Sequence, residues 1–251
     1  MAAPFLRLRQ ICLVATDLAR EAARIKAELG LEECYRDANV AKYGLENVLF
    51  PVGTNFIEIV SPTRAGTTAG RFLERHGARS GGAPGYMVIL DCDDPARWQA
   101  RAQSLSVRVA NVIRHDNYFG VQLHPKDTGA AMLEFNSTAG GRDPMGPYAP
   151  AGPNWQKAIR KDKTRALTAV EIESPEPARL AARWGAILDR PVQELGGGKS
   201  RIALDSGAIH VVKAPGPEAV FAGVELEGAK PATVQLCGVR FQLRANQYDR
   251  Y

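Results

Sequence analysis

The chain has 251 residues, 45% of them hydrophobic, 24% charged and 7% aromatic, enough to bury a sizeable core without disulfide or metal staples. That composition excludes a disulfide-dependent miniprotein, a fibre and wholesale disorder. Its net charge of +5 is mild, and much of the excess sits in Lys157, Arg160, Lys161, Lys163 and Arg165. A solvated linker accounts for that stretch: a nucleic-acid groove needs aromatic platforms among its basic residues, and only Trp155 lies near. An anionic small substrate also suits the charge. No nucleic-acid or membrane partner is expected, because the apolar run ICLVA is too short for a span and carries no clear cleavage pattern. The expected location is cytoplasmic. Cys12, Cys34, Cys92 and Cys237 form no CxxC pair, so they read as reduced, mostly buried thiols rather than a zinc knuckle or redox motif.

In chain order, LRQICLVA (8–15) reads as a strand and TDLAREAARIKAELG (16–30) as an amphipathic helix. Thr16 or Asp17 serves as N-cap and Gly30 closes the helix. Three strands are predicted to follow at NVAKYGL (39–45), NVLFPVG (47–53) and NFIEIV (55–60). The pattern then repeats. GYMVILDC (85–92) is a strand, DDPARWQARAQSL (93–105) a helix capped by Asp93 or Asp94, and VRVANVIR, YFGVQLHP and AAMLEFN are three more strands. Asp17 and Asp94 are 77 residues apart, and Glu58 and Glu134 are 76 apart. Such matched spacing marks an internal repeat.

Residues 138–164, rich in Gly and Pro without apolar period, read as a linker. A third copy begins at LTAVEIE (167–173), with its helix at EPARLAARWGAILD (176–189) and strands at PVQEL, SRIALD and AIHVVKA. FAGVELEG and VQLCGVRFQLR look like a degenerate fourth copy without a helix. The expected fold is α+β, with tandem βαβββ modules forming curved mixed sheets around a cavity. Its first domain spans 1–137, as modules 1–80 and 81–137. The linker spans 138–164, and a third module with the degenerate fourth spans 165–251.

Alternation along FIEIV and MLEF puts Glu58 and Glu134 opposite their apolar neighbours Ile57, Ile59, Leu133 and Phe135. A mid-strand carboxylate is costly to bury alone. Two related by a repeat point to a shared cation or to groups that handle protons. Other motifs fail. GGGKS (196–200) has Gln193 where a phosphate-binding loop needs glycine and reads as a hairpin turn; no GxSxG or HExxH occurs. His76 and His115 carry no argument.

On LRQICLVATDL, FIEIVSP, GYMVILDCDDP and HPKDTGAAMLEF, the chain resembles the vicinal oxygen chelate superfamily of glyoxalase, bleomycin-resistance and extradiol-dioxygenase-like proteins. The resemblance covers 6–137 well and 165–244 weakly. It implies one divalent metal (Mn, Fe, Ni or Zn) between paired modules, with Gln10, Glu58 and Glu134 as ligands. The fourth ligand position, usually His, falls on Met87, and a thioether is a poor ligand for hard or borderline cations. Two readings therefore stand: a metal site of three oxygen ligands, or a lapsed site and a plain binding pocket. A bound metal would act as a Lewis acid, with Glu134 or Glu58 as candidate base next to a carbonyl.

His124, opening HPKDTG, is either a surface turn residue or a cavity-edge histidine able to replace the missing imidazole or shuttle a proton. Tyr86, beside Met87, is expected to pack on the other face. In the third copy His210 takes the place of Glu58, and Thr168 or Ala169 that of Gln10, so that half reads as a structural or cavity-capping module, with a second binding pocket as the alternative. The implied function is a metal-assisted lyase or isomerase acting on a small oxygenated substrate, with a dioxygenase-like metalloenzyme also open. The alternative is a non-catalytic binder of a small hydrophobic or cationic molecule. A third possibility is an interaction module using the C-terminal repeat and the tail NQYDRY; a homodimer is compatible with all three.

Overall fold

The structure is a computed structural model that describes residues 4–77, 82–115 and 117–245. The tail NQYDRY lies outside the described residues. The first copy comprises β1 (Leu6–Val14), α1 (Leu18–Leu29), β2 (Leu45–Val52) and β3 (Asn55–Pro62), followed by α2 (Thr68–His76). The second comprises β4 (Met87–Cys92), α3 (Pro95–Ser104), β5 (Val109–His115), β6 (Tyr118–Leu123), the short α4 (Pro125–Thr128) and β7 (Met132–Thr138). Then come β8 (Thr164–Ser174), α5 (Pro177–Leu188), β9 (Val192–Gly196), β10 (Lys199–Ala203) and β11 (Ala208–Lys213). The fourth copy has no helix between its strands β12 (Val220–Gly228), β13 (Ala232–Leu236) and β14 (Val239–Ala245).

Each copy closes in the same way. The last strand lies parallel to the first, as β1 with β3, β4 with β7, β8 with β11 and β12 with β14. Antiparallel neighbours fill the remainder: β2 beside β3, β5–β6–β7, β9–β10–β11, and β13 beside β14. The protein is thus α+β with mixed sheets built from repeated modules. A parallel pair needs a crossover, which α1, α3 and α5 supply; the fourth copy makes its parallel pair with a strand, β13, as the intervening element.

Local chemistry explains the helix ends. Asp17 accepts from Arg20 N, Gly30 closes α1 in the left-handed region at φ 67, and Asp94 accepts from Ala96 N. Leu18, Ala22, Ile25 and Leu29 form the buried stripe of α1, where each large aliphatic contributes about 1.5–3 kcal/mol by leaving water. One expected strand is absent. Residues 39–45 instead enter a 3-10 turn, Ala38–Tyr43, with Asp37 capping Asn39 N and Gly44 ending it at φ 71. Tyr35 bridges to Leu49, and the turn itself has no buried residue, so alternation there had no apolar face to serve. The run 234–244 is two strands, turned at Cys237 and Gly238, both at positive φ. GGGKS is a hairpin turn between β9 and β10.

The chain forms two compact units. The first gathers Met1–Arg9, Met87–Pro147 and Ala169–Phe221; the second gathers Gln10–Tyr86, Tyr148–Thr168 and Ala222–Tyr251. In the first, Trp98 stacks on Phe135 with centroids 4.9 Å apart, and Trp184 of α5 donates to Thr128 O at 2.7 Å. In the second, Leu49, Phe56, Tyr148, Ala151 and Trp155 form one buried cluster. Phe56 lies between a stacked Tyr148 (4.8 Å) and an edge-on Trp155 (4.9 Å). Part of the Gly/Pro-rich stretch is therefore core. Gly152 lets it pass: a Cβ there would sit 2.3 Å from the Tyr35 ring. Among the described residues no helix is long and apolar enough to cross a membrane.

Candidate functional site

The strand register fixes which residues are equivalent in the repeat. Gln10 pairs with Phe56, Met87 with Met132, and Ala169 with Ala208. Each of those last-strand partners lies two residues before Glu58, Glu134 or His210. Met87 is therefore the second-copy counterpart of Gln10, and Ala169 rather than Thr168 is the third-copy counterpart. Along the repeat an amide becomes a thioether and then a methyl group.

In the first unit, Glu134 is 4% exposed, and its carboxylate is held by three side chains. Oε1 accepts from Tyr118 OH at 2.5 Å and Asn136 Nδ2 at 3.1 Å, and Oε2 accepts from Gln122 Nε2 at 2.7 Å. Gln122 stands opposite Glu134 and in turn accepts from Asn111 Nδ2 at 3.2 Å. A polar row thus crosses β5, β6 and β7. All of Glu134's donors are neutral, which is unusual for a buried carboxylate. Asp91, on the β4 residue paired with Asn136, is instead ion-paired with Arg7 and lies 3.9 Å from Arg9 Nε. Burial pushes the Asp91 carboxyl up, against the opposing pull of the two guanidiniums.

In the second unit, Gln10 Nε2 donates to Glu58 Oε2 at 2.8 Å and Asn47 Nδ2 to Glu58 Oε1 at 2.7 Å. A carboxylate only accepts, so the Gln10 amide nitrogen must face it. The Gln10 carbonyl accepts from Tyr148 OH at 2.9 Å. Tyr86 packs its ring 4.9 Å from Phe72, and burial pushes its phenol pKa up, in keeping with a packing role.

His124 caps α4, its Nδ1 accepting from Lys126 N at 3.2 Å. In the same turn Asp127 accepts from Arg108 N, Nε and Nη2, and that guanidinium holds its carboxyl well below the usual range. His210 lies on β11, paired with Arg201 and Glu171. An open cleft of about 440 Å³ in the first unit, lined by Arg101, Gly185, Asp189 and Arg190 among others, contains no member of either carboxylate network.

The arrangement does not fit the divalent metal that the resemblance implies. The Gln10 amide turns its nitrogen, which cannot ligate, to Glu58 and its oxygen to Tyr148, and the imidazole position holds Met87. Among the described residues no three His, Cys, Asp or Glu side chains come together as a metal site. Alternation identified the two carboxylates; their donors Tyr118, Gln122, Asn47 and Tyr148 were missed. For Gln122 the signal was period-two alignment with Glu134 along a neighbouring strand, whereas Tyr148 gave none beyond being an aromatic in a Gly/Pro-rich stretch.

Residues 11–188 match the family model described as a glyoxalase-like domain. No curated protein matches the chain. Among solved structures, a hypothetical protein from Staphylococcus aureus is similar at TM-score 0.70 and 15% identity, covering 96% of this chain and 99% of that one. The Mn(II)-bound glyoxalase from Novosphingobium aromaticivorans is similar at TM-score 0.58 and 15% identity, covering 90% of this chain and 66% of that one. At such identities the likeness is one of fold.

Proposed function

The chain belongs to the glyoxalase-like domain family, and from that premise we propose that it is a lyase or isomerase acting on a small oxygenated substrate, with Glu134 as the group that handles a proton beside a carbonyl. The observation that carries this reading is Glu134's setting: 4% exposed, with Tyr118, Gln122 and Asn136 as its donors and no cation among them. A guanidinium would tie the carboxylate down as a structural ion, as Arg7 does for Asp91. Neutral donors hold its geometry and leave its charge for a ligand. Glu58, held by Gln10 and Asn47, is the second carboxylate in this reading. His124 is proposed only as a turn residue. No step passes through a metal. Cys12, Cys34, Cys92 and Cys237, which form no disulfide, support a cytoplasmic setting.

The test is solvent-deuterium exchange and isomer formation, followed by NMR, over a panel of small 2-oxo acids, 2-hydroxy ketones and acyl thioesters. Glu134→Gln is expected to slow the reactive compound by roughly 10²–10⁴-fold with the fold intact. A variant as fast as the wild type overturns the assignment. The same buried charge favours one second reading, a non-catalytic binder of a small cation. Saturable binding of a cationic aromatic, lost in Glu134→Gln and without turnover of any panel compound, would select it.

A further inference from the structure

Residues 118, 120 and 122 of β6 share the sheet face of Glu134 and Asn136, because Gln122 pairs with Glu134, Gly120 with Asn136 and Tyr118 with Thr138. Gln122 needs only to reach across to its partner. Tyr118 starts four residues further along β7, opposite Thr138, yet its hydroxyl stands 2.5 Å from Glu134 Oε1. The ring does this by lying along the sheet over position 120. A Cβ on Gly120 would stand 3.0 Å from Tyr118 Cε1, 3.1 Å from its hydroxyl and 3.3 Å from Cζ, tighter than ordinary van der Waals contact. Gly120 does not have a positive φ, so backbone conformation does not demand glycine there. A glycine inside a strand weakens it and marks a close approach; here what approaches is the phenol.

The donors are also unevenly shared. Oε1 accepts two hydrogen bonds, from Tyr118 and Asn136, whereas Oε2 accepts one, from Gln122. With two lone pairs on each oxygen, Oε1 is filled and Oε2 keeps one open.

Resting on the proton-handling reading above, we propose that Tyr118 is the positioning residue of Glu134, seated in the slot that Gly120 leaves, and that by filling Oε1 it makes Oε2 the oxygen that meets the substrate. A C–H proton would pass to Oε2 and the bonding pair would stay on the substrate as an enolate. Glu134 then returns the proton to carbon, while Tyr118 keeps its own throughout.

Two variants test this, Tyr118→Phe and Gly120→Ala, with the full chain and with near-ultraviolet dichroism confirming the fold. The substrate-free readout is the downfield proton resonance of a hydroxyl bonded to a carboxylate. It is expected in the wild type, absent in Tyr118→Phe and Glu134→Gln, and shifted or lost in Gly120→Ala. On the compound that the panel identifies, both variants are expected to lose roughly 10- to 100-fold in kcat with KM nearly unchanged, the pattern of an interaction that matters in the transition state. A Gly120→Ala protein with the wild-type resonance would overturn the slot, and Tyr118→Phe with wild-type kcat would overturn the positioning role. If the wild type turns over nothing, the proton-handling reading fails alone, since the resonance is read without substrate.

Discussion

Replacing Tyr148 by Phe isolates one hydrogen bond in the second unit. Tyr148 and Gln10 are each 2% exposed, and the Tyr148 hydroxyl donates to Gln10 Oε1 at 2.9 Å. Phenylalanine keeps the ring stacked on Phe56 and leaves a buried amide oxygen without its donor. Gln10 cannot turn its amide to compensate, because its nitrogen is bonded to Glu58. An orphaned buried acceptor costs about 1–3 kcal/mol, and at this chain length about 2 kcal/mol corresponds to a melting temperature about 4–8 °C lower. The assay is urea denaturation repeated on a Gln10→Met background, where no acceptor remains to be orphaned. There the cost of Tyr148→Phe should fall below about 0.5 kcal/mol, giving a coupling of about 1.5 kcal/mol. Equal costs on both backgrounds would refute the reasoning and make the hydroxyl a bystander.

Two further predictions rest on the same environments. Burial pushes the Cys34 thiol up to about 12 and those of Cys92 and Cys237 up as well. Their thiolates are therefore scarce in the native protein at pH 8, and a disulfide reagent should react slowly until denaturant returns the thiols to about 8.5, when all four are titrated; fast native reaction of Cys92 or Cys237 would contradict their burial. Elemental analysis after growth with Mn, Fe, Ni and Zn should find well under one metal per chain, since the Gln10 amide presents its nitrogen to Glu58 and the imidazole position holds Met87; a stoichiometric metal lost in Glu134→Gln would show that the donors rearrange around a cation.

What the sequence made legible was what repeats. Matched spacing identified two copies, the order of strands and helix a third and a fourth without its helix, and alternation put an acid on each of two last strands; parallel pairing of first and last strands in every copy follows the same repeat. What broke the repeat was harder to read. The 39–45 segment alternates like a strand, but Asp37 and Gly44 supply turn caps that outweigh alternation where nothing is buried. Thr67→α2 capping was equally local: Thr67 accepts from Gly70 N, yet a glycine in the first turn lowers helix propensity. Composition reads 138–164 as a linker, whereas the stretch carries two 3-10 turns, Ala149–Ala151 and Trp155–Ala158, and composition does not register that two aromatics, Tyr148 and Trp155, are enough to anchor it in a core.

The same asymmetry separates the two carboxylates. Glu58 accepts from Gln10 on the first strand of its copy and from Asn47 on a neighbouring strand, and Gln10 is in turn tied to Tyr148, outside the repeat altogether. Glu134 has methionine at the position equivalent to Gln10, so its copy supplies no first-strand amide, and its donors come from β6 and β7 instead. With a thioether at that position, Glu134 has a phenol among its donors, that of Tyr118, whose ring lies over Gly120. The two copies thus share a last-strand carboxylate and differ in what holds it: Glu58 accepts from a first-strand amide whose carbonyl is tied to Tyr148, and Glu134 from a phenol and two amides on β6 and β7.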